Sequence, residues 1–131
     1  SKPLQQELVG ETLAPMLVVH PFFHMYAKMD STAMRKVCNT AVNTFSLSDK
    51  DVVFTEGVAD DRMYFVRKSG CLCYELQQRG VRHSMRNGGY PGSGDESSKE
   101  VGTGFLVFAG QWCCEAALWT RWVHLGTMRA A

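Results

Sequence analysis

The sequence predicts a mainly β domain with flanking helices, and three observations carry that expectation. Apolar residues in the N-terminal third recur at helical spacing, and from Ser48 onward they come in short runs divided by turn formers. The chain's 131 residues, 45% of them hydrophobic, suffice for one core and hence one domain.

Taken in order, Leu4, Leu8 and Leu13 stand among Gln5, Gln6, Glu7 and Glu11 as one face of an amphipathic helix that Pro15 disturbs. His20-Pro21-Phe22-Phe23 then reads as a turn. Asp30 or Ser31 caps a second helix, whose stripe Met34, Val37, Cys38, Ala41 and Phe45 keeps the i, i+3, i+4, i+7, i+11 pattern. Three strands of an antiparallel sheet or barrel follow at Val52-Val53-Phe54, Met63-Tyr64-Phe65-Val66 and Cys71-Leu72-Cys73-Tyr74, divided by Glu56-Gly57 and Lys68-Ser69-Gly70. Residues 77–100, rich in Gly, Ser, Arg and Asn, are expected to form a long disordered loop, with Arg79, Arg82, His83 and Arg86 a solvated basic cluster within it. The strand signal returns at Phe105-Leu106-Val107-Phe108, Gly110-Gln111 makes a turn, and Cys114-Glu115-Ala116-Ala117-Leu118 begins a short helix before a last strand.

A formal net charge of +1 supplies no basic face for nucleic acid. No apolar run reaches the roughly 18–20 residues that cross a bilayer, so no membrane span is expected in this segment. Beginning at Ser1, it reads as a piece of something longer. The five cysteines form no paired CxxC knuckles, so reduced thiols are expected and a zinc site joining them to His124 is not, with Cys38, Cys71 and Cys73 packed inside. A nucleophile at Cys113 or Cys114 with His124 as base lacks, in the sequence, a third group to orient the histidine, and no enzyme is read.

Four motifs in this order resemble the cyclic-nucleotide-binding domain, a β-roll of bacterial catabolite activators, protein kinase A regulatory subunits and ion channels. Val52-Val53-Phe54-Thr55-Glu56-Gly57 is similar to the family's strand and Glu-Gly turn, with Lys50 where a glycine usually precedes that strand. Met63-Tyr64-Phe65-Val66, ending at Gly70, is similar to its "MYFI…G" strand and turn. Gly110-Gln111-Trp112-Cys113-Cys114-Glu115-Ala116-Ala117-Leu118 resembles its phosphate-binding cassette, Cys113 and Cys114 taking the Phe and Gly places. The ungapped run from Leu118-Trp119-Thr120-Arg121 to Thr127-Met128-Arg129-Ala130 is similar to the cassettes of channels.

The resemblance implies a jelly-roll-like fold over residues 21–131, preceded at 1–20 by the helical end of a channel linker, with the last strands and a lid helix expected beyond Ala131. It implies a regulatory domain at the cytoplasmic face of a membrane, the rest of a homotetrameric cation channel as its partner, and cAMP or cGMP as ligand. The alternative it leaves open is a soluble regulatory subunit like those of protein kinase A.

The residues that would meet the ligand are Cys114, Glu115, Ala116, Ala117, His124 and Leu125. Glu115 matches the glutamate that holds the ribose, and the amides near Ala116 and Ala117 open the short helix toward the phosphate. His124 stands in the place of the phosphate-binding arginine and Leu125 where a threonine is common. Arginine is a permanent cation with a planar fork, and its loss costs roughly 2–3 kcal/mol of anion binding. A thiol at Cys114, where the family has glycine, restricts positive φ and close backbone approach. Weak nucleotide binding is therefore expected. Arg121 and Arg129 read as solvated, and Trp112, Trp119 and Trp122 as packing residues rather than a purine platform.

Overall fold

The computed structural model describes residues 1–67, 70–76 and 104–131, so the expected loop at 77–100 and its basic cluster lie outside the described residues. Among the described residues three helices precede eight short strands in antiparallel sheets, a mixed α/β architecture in which helix holds a larger share than a mainly β reading allows. The helices are α1 (Lys2–Leu17), α2 (Pro21–Met29) and α3 (Ser31–Thr40). The strands are β1 (Val52–Phe54), β2 (Ala59–Asp60), β3 (Tyr64–Phe65), β4 (Cys71–Glu75), β5 (Gly104–Phe108), β6 (Trp112–Cys113), β7 (Trp122–Val123) and β8 (Thr127–Ala130), with a 3-10 turn at Glu115–Leu118 between β6 and β7.

Helix α1 runs past Pro15 to Leu17, since losing one amide donor near a helix end removes little of its ladder. Its buried face is Gly10, Leu13 and Leu17, whereas Leu4 and Leu8 of the expected stripe are exposed. The face is set by Gly10, where a Cβ would come 2.9 Å from the Arg35 side chain on α3 and hold the helices apart. The expected turn at His20-Pro21-Phe22-Phe23 is instead the start of α2. Proline at the first helical position gives up no bond, and the His20 ring takes the N-cap role by accepting from the Phe22 amide at 3.1 Å. Asp30 caps α3 through a 2.9 Å bond from the Ala33 amide, as its sequence position suggests. That helix ends at Thr40, so Phe45, read as part of its stripe, lies beyond it and is exposed. Leu13, Leu17, Met34 and Cys38 form the core of the helical layer, with Phe23, Tyr26 and Phe65 against it.

The strands pair in a nested series, β1 with β8, β2 with β7, β3 with β6 and β4 with β5, all antiparallel. Strand β8 also pairs with β4, making one four-stranded sheet of order β1-β8-β4-β5 beside two two-stranded ribbons. Two strands, β7 and β8, follow the 3-10 turn, where the sequence reading placed one. Gly126 has to be glycine, because a Cβ there would lie 2.5 Å from the Glu75 carbonyl oxygen and 2.7 Å from the Tyr74 ring. Five described positions have left-handed backbone: Gly57, Gly70 and Gly110, together with Lys50 (φ 67°) and Cys114 (φ 63°). Among the described residues no helix is long and apolar enough to cross a membrane.

Candidate functional site

Strands of two residues leave room for few inward side chains, so those that do face the interior decide its character. Phe54 of β1, Met128 of β8 and His124, just after β7, are buried there. The His124 ring stacks on Phe54 at 3.6 Å and 7° between planes. Its Nε2 lies 3.0 Å from Asp60 Oδ2 on β2, and its Nδ1 accepts from the Trp122 indole N–H at 3.3 Å. Because the indole can only donate, Nδ1 is unprotonated and the ring proton sits on Nε2, where it donates to Asp60. Tyr64 donates its hydroxyl to the same carboxylate oxygen at 2.6 Å.

This network sets the charges. Burial alone would raise the Asp60 carboxyl, but hydrogen bonds from Tyr64, His124 and the Asp61 amide outweigh it and hold the group below the usual carboxylate range. Burial, then the bond to Asp60, pushes the Tyr64 phenol well up and keeps it a donor.

Beside the network lies a cavity of about 230 Å³, walled by Phe54, Tyr74, Phe105, Val107, Met128 and Trp122, with Cys113, Cys114 and His124 on its polar side. Cys114 Sγ is 3.9 Å from His124 Nδ1. The two neighbouring thiols split: a hydrogen bond from Cys113 draws Cys114 below the ordinary thiol value, while that same bond and burial drive Cys113 far up.

The residues singled out from sequence are thus divided. Cys114 and His124 meet at the cavity, whereas Glu115, Ala116, Ala117 and Leu125 do not line it. Glu115 turns outward instead, its Oε1 3.1 Å from Nε2 of His20. The amide of Ala117 is taken by the Cys114 carbonyl at 3.1 Å, and Leu125 is exposed. Trp112 packs edge-on against His20 at 4.8 Å and Trp119 against Phe22 at 5.1 Å, in keeping with a packing role. Asp60 and Tyr64 were not legible as site residues, since two-residue strands leave no periodicity and His124, the partner of Asp60, is 64 positions away. Asp60 also supplies the orienting third group that the sequence lacks beside Cys114 and His124.

None of the five cysteines is in a disulfide; Cys38 is buried, with Cys71 and Cys73 half-buried. Among the described residues no cluster of three or more His, Cys, Asp or Glu side chains is placed to hold a metal ion. No protein-family profile, curated protein or solved structure matches the chain.

Proposed function

We propose that this chain is a cytoplasmic regulatory domain of a tetrameric cation channel, a cyclic-nucleotide-binding-type roll whose phosphate grip is reduced. The observation that carries the reading is where the backbone turns left-handed. All five such positions fall where the sequence motifs have or expect glycine, including Lys50 and Cys114, the two places at which this chain substitutes another residue. Nested strand pairing, the arrangement of a jelly roll, supports the same reading. So does the position of Cys114, just before the short helix, on the wall of the cavity.

Coupling to a pore would run through the helical layer. His20 and Phe22 at the start of α2 touch Glu115 and Trp119 at the two ends of the 3-10 turn, so a change in the cassette is felt directly by the helices. Glu115 in this state serves the helical junction rather than a ribose.

The reduced grip has a structural cause beyond the missing arginine. The imidazole in the arginine's place is stacked, buried and bound to a carboxylate, and Asp60 would repel a cyclic phosphate brought close to it. Calorimetric titration of the natural chain with cyclic AMP and cyclic GMP is expected to give dissociation constants of about 100 µM or weaker. The triple variant Cys114→Gly, His124→Arg, Asp60→Asn restores glycine and a permanent cation and removes the competing carboxylate, and binding should tighten about tenfold or more. Tight binding by the natural chain refutes the reduced grip; silence of both versions refutes the nucleotide roll.

A further inference from the structure

Cys114, His124 and Asp60 stand in the relation of nucleophile, base and orienting acid, and nothing in the nucleotide reading uses it. His124 Nδ1, which also accepts from the Trp122 indole N–H at 3.3 Å, lies 3.9 Å from the thiol, Asp60 holds the opposite nitrogen at 3.0 Å, and Phe54 fixes the ring plane. Cys114 is one of two non-glycine residues held in a left-handed conformation among the described residues, the kind of strain that marks functional positions. The thiol opens on a cavity walled by aromatic and aliphatic side chains. We propose that Cys114 is a covalent capture site for small apolar α,β-unsaturated carbonyl compounds, with His124 as its base and Asp60 as the residue that positions the imidazole.

The chemistry balances without any further reactant. The thiol proton passes to His124 Nδ1, displacing the Trp122 indole N–H from that lone pair, and the sulfur attacks the β-carbon to form a C–S bond. The π pair of the C=C bond moves toward the α-carbon as an enolate, which takes the proton back from Nδ1. The net result is addition of S–H across the double bond, with nothing oxidised and nothing expelled. Acyl transfer would ask more of the site, since an oxyanion calls for more than one fixed donor and Trp122 brings a single indole N–H to the cavity wall. The remaining thiols are differently placed: Cys38 lies in the helical core with burial pushing its thiol up, and Cys71 donates to the Ala131 carbonyl.

The test treats the folded chain with 2-cyclohexen-1-one and follows each cysteine by quenched time course and peptide mass mapping. Cys114 is expected to react about tenfold or more faster than Cys71 and Cys73, with the difference lost in urea. Asp60→Asn and His124→Gln should each slow Cys114 about fivefold or more while leaving the rate at Cys71 unchanged. Circular dichroism checks that each variant folds, and Asp60→Asn carries the comparison if His124→Gln does not. Equal rates at Cys114 and Cys71 in the folded natural chain overturn the proposal, as does an unchanged Cys114 rate in the folded Asp60→Asn variant. Both outcomes are independent of whether the chain binds a nucleotide.

Discussion

The helical layer and the nested antiparallel strands, a roll in the sense of their pairing alone, are built on opposite principles. Leu13, Leu17, Met34 and Cys38 make an apolar core that asks only for volume, set by facing helical stripes. The roll instead centres on His124, as buried as any leucine of the helical layer, and satisfies it with Asp60, Trp122 and the face of Phe54. A core of the first kind tolerates exchange of one hydrocarbon for another. One of the second kind depends on named atoms, because a partner removed leaves a buried polar group unpaired. What this teaches is where function can sit: the polar interior carries the cavity and the reactive groups, and the helical layer holds it in place.

The largest expected effect would break the comparison from the helical side. Met34→Ala empties a fully buried position between α1 and α3 and should cost about 3 kcal/mol, read as a lowered urea midpoint by far-ultraviolet circular dichroism. If indole fluorescence, read in a Trp112→Phe, Trp119→Phe background so that it reports Trp122 beside His124, shifts by the same amount, the two regions unfold as one. An unshifted fluorescence transition would mean that the roll stands alone.

Asp60→Asn sharpens the comparison from the other side. At neutral pH it should cost about 1–2 kcal/mol, as the charge-assisted bonds from Tyr64 and His124 become neutral ones. The sign with pH follows from the lowered carboxyl: it stabilises the fold above its unfolded value of about 3.9, and that contribution is lost as pH falls through the folded value. The gap between natural chain and variant should therefore close below about pH 4, and a gap that stays constant in acid would show that Asp60 acts through shape rather than charge.

The smallest effect lies at the junction. Glu115 is half exposed, so Glu115→Gln should change stability by less than about 1 kcal/mol even though it removes the anion beside His20. A larger loss in urea unfolding would make the junction, not the helical core, the main tie between the two regions.

The sequence disclosed these regions unequally, for physical reasons. Helix α3 was legible because its apolar residues recur and Asp30 is a recognisable cap. Helix α2 was not, since a histidine rarely caps and His-Pro reads as a turn until Pro21 is seen to occupy the first helical position. In the roll, β4 and β5 announced themselves, while β2 and β7, two residues each, are defined only by each other. Cys114 and His124 emerged from motif spacing, but Asp60 and Tyr64 became visible only once β2 and β3 were placed against their partners. Glu115 was found in the right element and assigned a direction that local sequence cannot fix.

Nested pairing has a kinetic consequence. Each antiparallel pair brings the next one out closer together, so joining β4 to β5 shortens the loop that β3 and β6 must close, and so on outward to β1 and β8. We expect the roll to form in this zipped order, with β8 settling between β1 and β4 as the final step. Since most of its pairings join residues distant in sequence, the roll should fold on the millisecond-to-second scale after faster formation of the helices. Stopped-flow refolding followed by tryptophan fluorescence and by far-ultraviolet circular dichroism would separate the two phases, and a single microsecond phase for both signals would rule the sequence of events out.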